Sequence, residues 1–249
     1  MKFSRFNTFI FDLDGTIWNW FNLFPGVKIA INKLQSKNKQ VLFITNNTIL
    51  SRSGLTRKLR NFGIKVSEDE LVNAGYAAAQ FFKKRKGNAI AFGEGLIKDL
   101  KSNGIKVVNK PCAKYVAIGQ DMKFNFDKLA LAYEAIRNKA ELFATAKGRY
   151  FTYGNDIIPG TGVLVQAVEY VSNKKAVLLG KPSDHMIDVL KKFVDSDRVL
   201  IVGDELNSDI IMGERAGYST ALIKTGVDKK PGKDIKPDYV LNSVADIKI

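Results

Sequence analysis

Several aspartates stand where apolar runs stop. Asp12 and Asp14 close the run 6–13 (FNTFIFDL), with Gly15 directly behind. Asp204 follows Gly203 at the end of the run 198–202 (RVLIV), and Asp209 comes shortly after. A further run, 40–45 (QVLFIT), ends at Thr45 and leads into Asn46 and Asn47. Each run is short, apolar and rich in β-branched and aromatic residues, which predicts buried strands. In an open parallel sheet, ligands bind outside the carboxyl ends of the strands. These polar ends should therefore converge. Asp12, Asp14, Asp204 and Asp209 brought together repel one another, and their pKa values rise unless a cation sits among them. The chain has one histidine, His185, and one cysteine, Cys112. That excludes a two-histidine zinc site, a thiolate cluster and an internal disulfide. Hard oxygen ligands alone point to Mg²⁺. One aspartate after one strand is an ordinary N-cap or turn former; three strand ends supplying partners to each other are not.

The elements between these ends alternate. Residues 27–36 follow Pro25-Gly26 with Val27, Ile31 and Leu34 at helical spacing, and 53–62 form a basic amphipathic helix closed by Gly63. Toward the C-terminus come a helix at 182–193, the strand at 198–202, a helix at 209–216 before Gly217, a strand at 220–223 and a last one at Val240 and Leu241. Strand, helix and strand in this order indicate a parallel sheet. Between the two parts lie residues 73–178, with strands at 88–92, 114–118 and 141–144 and helices at 95–102, 126–138 and 162–171. So long a segment is a second α/β unit and not a loop. The expected fold is α/β: a Rossmann-like three-layer core with a parallel sheet, 1–72 and 179–249, and an inserted smaller α/β cap domain, 73–178. Hinges are expected near 73–75 and 174–180.

Composition sets the outer limits. The 249 residues are 45% hydrophobic and 26% charged, ordinary for a globular protein. The longest uncharged stretch, 15–27, is too short and too polar to span a membrane. The N-terminus lacks an apolar leader with a cleavage site, so a cytoplasmic protein is expected. The net charge is +14, of which 73–178 carry +9, from 17 basic and 8 acidic residues. Such charge fits a nucleic acid, an anionic surface, an anionic substrate or merely a solvated lysine-rich exterior. The one tight basic run, Lys83 to Lys86, ends an apparent helix, where cations suit the dipole. Aromatic interleaving of the kind single-strand binders use is missing. A basic nucleic-acid-binding protein is thus the non-enzyme alternative, not the main expectation.

Together these residues carry a resemblance. Residues 11–16 (FDLDGT), 44–47 (ITNN), 180–182 (GKP) and 202–210 (VGDELNSDI) resemble the four motifs of the haloacid dehalogenase-like phosphohydrolases. Pro25-Gly26, 158–162 (IPGTG), 180–183 (GKPS), 213–217 (GERAG) and 237–240 (PDYV) resemble the NagD and 4-nitrophenyl phosphatase type, whose α/β cap lies after the second motif.

The resemblance implies a Mg²⁺-dependent phosphatase acting on small phosphorylated metabolites. Asp12 would be the nucleophile that forms an aspartyl-phosphate. Asp14 would protonate the leaving oxygen and then activate water. Asp12, the Asp14 backbone carbonyl and Asp204 would hold Mg²⁺. Asp209 would orient water or Lys181. Thr45, Asn46, Asn47 and Lys181 would bind the phosphoryl group. A phosphomutase or phosphotransferase of the same superfamily is the other enzyme reading, and a homodimer is left open. Residues 18–24 (WNWFNLF) resemble the flap after the first strand, either covering the site or packing on the cap. His185 is expected to face the surface or the cap and to take no part in catalysis.

Two departures bear on the substrate. Ala146 and Gly148 stand where this type commonly carries Asn and Asp, and Lys147 with Arg149 are the expected replacements as anion binders. In the fourth motif Glu205 stands for a frequent Arg and Asn207 for a frequent acid, with Asp204 and Asp209 retained.

Overall fold

The computed structural model describes residues 3–154 and 156–249. The chain starts with β1 (Thr8–Phe11), α1 (Val27–Ser36), β2 (Gln40–Thr45), α2 (Arg52–Asn61), β3 (Leu71–Asn73) and α3 (Ala74–Arg85). It continues through β4 (Ala89–Phe92), α4 (Glu94–Ser102), β5 (Tyr115–Ile118), α5 (Phe126–Arg137), β6 (Glu141–Ala144), β7 (Tyr150–Tyr153), β8 (Asp156–Pro159), α6 (Thr161–Ser172) and β9 (Val177–Leu178). It returns with α7 (Asp184–Lys191), β10 (Val199–Gly203), α8 (Ile211–Ala216), β11 (Ser219–Ile223) and β12 (Tyr239–Leu241).

The first and last parts build one parallel sheet of six strands in the order β12-β11-β10-β1-β2-β3. Strands β1, β2 and β10 are buried on both faces, so their sequences are continuous apolar runs without polar alternation. Phe9, Phe11, Val41, Phe43, Leu200 and Val202 face α1 and α2, where they meet Val27, Ile31, Leu34, Leu55 and Leu59. Ile10, Leu42, Ile44 and Ile201 point the other way, onto Met186, Ile187 and Leu190 of α7 and Met212 of α8. Side-chain alternation along each strand thus sorts two helical layers onto one sheet.

The inserted part repeats this plan around a parallel sheet of four strands, β4-β5-β6-β9. Phe82, Leu96 and Leu100 of α3 and α4 cover one face. Ala132, Ala135, Val165 and Val168 of α5 and α6 cover the other. The antiparallel pair β7–β8 stands apart from both sheets.

Helix α3 is shared: Ala77 packs in the core cluster, while Ala78, Ala79 and Phe82 pack in the cluster of the insert. Buried Asp99 of α4 ties the same junction. One of its oxygens accepts the Arg52 backbone N–H at 2.8 Å and the other the Asn73 side-chain amide at 2.7 Å. A Cβ on Gly95 would strike the Leu50 and Thr48 carbonyls, so that helix start lies directly on the core loop. His185 reaches across from α7, with Nε2 2.7 Å from the Ala77 carbonyl oxygen and its ring against Phe81. No helix among the described residues is long and apolar enough to cross a membrane.

Two stability predictions follow from this packing. Phe43 is fully buried, and Phe43→Ala should cost about 3–5 kcal/mol, read from urea midpoints. Burial pushes the Asp99 carboxyl from 3.8 up to about 6, against its hydrogen bonds to Asn73 and Arg52. An acid held above its unfolded pKa favours the fold below the unfolded value, and that contribution is lost as pH rises through the folded one. Asp99→Asn should therefore flatten the fall of stability with pH between 3.8 and about 6. An unchanged slope would mean that Asp99 ionises as it does in the unfolded chain.

Candidate active site

Neighbouring strands β10, β1 and β2 run parallel, so their carboxyl ends set Asp204, Asp12 and Thr45 side by side. Lys181 arrives where the chain re-enters the core, just beyond β9. Its ammonium donates to Asp12 Oδ1 at 2.5 Å and to Asp209 Oδ1 at 2.7 Å. Asn46 fixes the Lys181 backbone in both directions: its Oδ1 accepts the Lys181 N–H at 2.7 Å, and its Nδ2 donates to the Lys181 carbonyl at 3.1 Å. Gly180 is needed here, because a Cβ would run into the Thr145 carbonyl and the Asn46 amide oxygen.

Asp204 and Asp209 are held by loops that their own charge organises. Asp204 Oδ2 accepts the Val227 N–H at 2.6 Å, and its Oδ1 lies 3.4 Å from the Thr16 hydroxyl. Side chains at Gly15 or Gly226 would collide with this carboxylate. Asp209 Oδ2 accepts the Glu205 N–H at 3.1 Å, across the wide turn Leu206–Ile210 that precedes α8. Asp12, Asp204 and Asp209 each bring one oxygen within 4.8 Å of the others.

The Asp14 carboxylate stands beside this group with a donor on each oxygen. The Trp18 indole N–H donates to Oδ1 at 2.8 Å and the Asn47 amide to Oδ2 at 3.0 Å. Thr45 turns its hydroxyl oxygen to the Asn47 N–H at 3.0 Å.

These residues form the floor of a cavity of about 430 Å³. Its other wall comes from the insert: Gln120, residues 146–152 and Thr161. Gln120 is locked at both ends, accepting from the Thr161 hydroxyl at 2.8 Å and donating to the Pro159 carbonyl at 2.9 Å. Lys147 lines the cavity with its ammonium already partnered. Its ammonium lies 2.8 Å from the Ala176 carbonyl oxygen and 3.5 Å from Glu169. Arg149 differs from Lys147 in having no such partner: among the described residues, no ion pair or side-chain hydrogen bond holds its guanidinium.

Comparison with known proteins fits this geometry. Residues 9–106 match the haloacid dehalogenase-like hydrolase family, and residues 178–247 match a HAD-hydrolase-like family. Phosphoglycolate phosphatase 2 of Arabidopsis thaliana is 31% identical over 98% of this chain and 93% of its own length. The chain belongs to the haloacid dehalogenase-like hydrolases. The p-nitrophenyl phosphatase from Archaeoglobus fulgidus is 33% identical, with a TM-score of 0.87 over 97% of both chains. NagD from E. coli K-12 is 26% identical, with a TM-score of 0.86 over 98% of both. Within the haloacid dehalogenase-like hydrolases this chain is a phosphoric monoester hydrolase.

Electrostatics tests whether such a hydrolase could hold its metal here. Burial raises the Asp12 carboxyl well above the ordinary range, and Asp209, Asp204 and Asp14 push the same way against Lys181. Burial, then Asp209, lifts Asp204 to about 7. Burial disfavours the Lys181 ammonium, yet Asp12 and Asp209 outweigh it and hold the group protonated. One buried cation thus serves three buried carboxylates, and the surplus oxygens are hard donors. That donor set fits a divalent cation such as Mg²⁺.

The structure brings every expected site residue to this floor: Asp12, Asp14, Thr45, Asn46, Asn47, Lys181, Asp204 and Asp209. Two have work that sequence reasoning did not assign. The Asn46 side chain clamps Lys181, and the Asn47 side chain holds Asp14. Val227, Thr16, Trp18 and Gln120 were missed as site residues. Their signals are a backbone N–H, a common threonine and two side chains whose partners are distant in sequence. From sequence, the aromatics of 18–24 suggest a flap or packing on the cap and no contact with Asp14.

Lys181→Met should leave the Asp12–Asp209 pair without its cation. Breaking a buried pair costs about 3–5 kcal/mol. The variant should melt lower, and Mg²⁺ should raise its melting temperature by more than it raises that of the parent. Equal shifts in both proteins would argue that these carboxylates do not take the metal.

Proposed function

We propose that this hydrolase cleaves small phosphomonoesters with Mg²⁺ through an aspartyl-phosphate on Asp12. The observation that carries this is Asp12 itself: a buried carboxylate at a strand end, paired to Lys181 and open to the cavity. Asp12, Asp204 and the Asp14 backbone carbonyl would hold the Mg²⁺, which lowers the repulsion between phosphate and carboxylates.

The remaining steps fall to side chains. An Asp12 oxygen attacks phosphorus, and the bond to the ester oxygen breaks. Asp14, carrying a proton, passes it to that oxygen, so the alcohol leaves neutral. Water then attacks the phosphoryl group; Asp14 takes the water's proton, and the bond to Asp12 breaks to release phosphate. Splitting the displacement in two is covalent catalysis, and a positioned acid–base group contributes roughly 10²–10⁴-fold. Lys181 counters the charge on Asp12 as the phosphate approaches. Thr45, Asn46 and Asn47 line the cavity and supply polar groups for the phosphoryl oxygens.

Residues 1–72 and 179–249 act as the catalytic core and 73–178 as a cap that selects the substrate. The cap side of the cavity offers Arg149 as a cation for a second anionic group. A phosphomonoester with a carboxylate close to the ester, such as phosphoglycolate, suits that arrangement. We take the enzyme to be cytoplasmic, a reading that its single cysteine supports.

Hydrolysis of 4-nitrophenyl phosphate should stop in EDTA and return with Mg²⁺, and Asp12→Asn should abolish both turnover and phosphoenzyme trapped by acid quench. Full activity in EDTA would remove the proposed metal chemistry. Arg149→Ala should lower kcat/KM for phosphoglycolate roughly 10- to 100-fold, the worth of a hydrogen bond to a charged group, and leave 4-nitrophenyl phosphate nearly unchanged. A parallel fall on both substrates would deny Arg149 a role in reading the second anion.

A further inference from the structure

We infer that Trp18 is a positioning residue for the Asp14 carboxyl group: its indole N–H sets the angle at which Asp14 faces the leaving oxygen. The inference rests on the reading of Asp14 as acid and base. Trp18 donates to Asp14 Oδ1 at 2.8 Å, and Asn47 donates to Oδ2 at 3.0 Å. Asn47 is itself fixed, because its Oδ1 accepts the Ile49 N–H at 3.0 Å. With one donor on each oxygen, rotation of the carboxyl group breaks both bonds. An indole N–H donates and cannot accept, so Trp18 can hold Asp14 but cannot take its proton.

The ring that carries this N–H is anchored on every side. Trp18 is fully buried, its ring 5.9 Å from that of Phe62, with the Lys58 ammonium 5.3 Å from its centroid. Its backbone belongs to a tight turn in which the Phe24 N–H donates to the Ile17 carbonyl at 3.0 Å and the Asn19 N–H to the Asn22 carbonyl at 3.1 Å. Next along the turn, Trp20 adopts φ 76, a left-handed conformation that a bulky residue keeps only where its surroundings enforce it. Its surroundings do so. The same Lys58 ammonium sits 3.9 Å from the Trp20 centroid, and the Tyr153 ring of β7 lies 5.3 Å away. The Gly154 N–H donates to the Asn19 carbonyl at 3.0 Å, joining the turn to the hairpin. Simple packing would accept any large apolar ring at position 18. It would not require a donor aimed at a carboxylate that must hold one orientation through two proton transfers.

Trp18→Phe keeps a ring and removes the donor. Its effect should depend on the leaving group, because a nitrophenolate departs without help and an alkoxide does not. On the alkyl phosphomonoester that the parent enzyme turns over best, kcat should fall about tenfold, a fraction of what a general acid contributes. KM should stay within about twofold, and so should kcat for 4-nitrophenyl phosphate, a change too small to register as a transition-state loss. Added to Asp14→Asn, Trp18→Phe should change nothing further. Phe62→Leu disturbs the same packing without touching the donor and should show no leaving-group dependence. Equal losses on both substrates, no loss on either, or the same selectivity in Phe62→Leu would overturn the inference.

A second readout does not need turnover or a well-folded Trp18 variant. The chain has two tryptophans, so its ¹⁵N spectrum holds two indole N–H signals, and Trp20→Phe assigns them. The Trp18 signal should move upfield in Asp14→Asn, where a neutral amide replaces the charged acceptor. If it stays in place, the inference fails. If the parent enzyme releases no phosphate from any ester while this signal does move, the functional reading fails and the hydrogen bond stands.

Discussion

Buried charge governs this protein. Asp12, Asp204 and Asp209 lie almost wholly out of water with their oxygens close together, and one ammonium, that of Lys181, stands among them. Taking ions out of water costs several kcal/mol each, repaid only by close partners and further hydrogen bonds. The surrounding chain supplies these. Val227 and Glu205 give backbone N–H groups to Asp204 and Asp209, and Thr16 brings a hydroxyl to Asp204. The same need explains the glycines. At positions 15, 180 and 226 a Cβ would occupy space that the carboxylate, or the clamp on Lys181, already fills.

That arrangement requires two distant segments to meet in register. The aspartates sit on the core, whose parallel strands fix their spacing through a ladder from β10 to β1 to β2. Lys181 lies just past the inserted unit, where the chain re-enters the core, and Asn46 grips its backbone on both sides. Helix α3, Asp99 and His185 brace the same crossing from the other face of the core. The junction between core and insert is therefore part of the site, and buried polar contacts hold the two units together in this arrangement.

Much of this was legible because burial leaves a pattern. Strands β1, β2 and β10 are covered on both faces, so they read as unbroken apolar runs, and the polar residues that end them mark the catalytic edge. What the pattern could not show is partner choice. β3 and β9 are only three and two residues long, with too few positions to display a period. The hairpin β7–β8 is half exposed and packs through Tyr153 on the turn at 19–21, so the apolar residues of its sequence (YFTY, DIIP) mark no buried face. Lys147 and Arg149 are two cations with one residue between them, and sequence treats them alike. Glu169 and the Ala176 carbonyl claim the first and leave the second. Position 18 similarly reads as one more aromatic until the fold turns its N–H toward Asp14.

The excess of positive charge on the insert can now be divided by distance. Most of its lysines and arginines lie on the outside, the run Lys83 to Lys86 at the exposed end of α3 among them. At physiological ionic strength charges are screened over about 8 Å, so these cannot hold an anion at the cavity floor. Their effect is collective: a positive field that raises the rate at which anionic substrates arrive. Arg149 stands apart from these in the proposed reading, because it lines the cavity across from a floor rich in carboxylates. There a phosphate bound at Lys181 can extend its second anionic group away from the aspartates and toward a cation. In the proposed reading, a substrate lacking the second anionic group would gain from the collective field and not from Arg149.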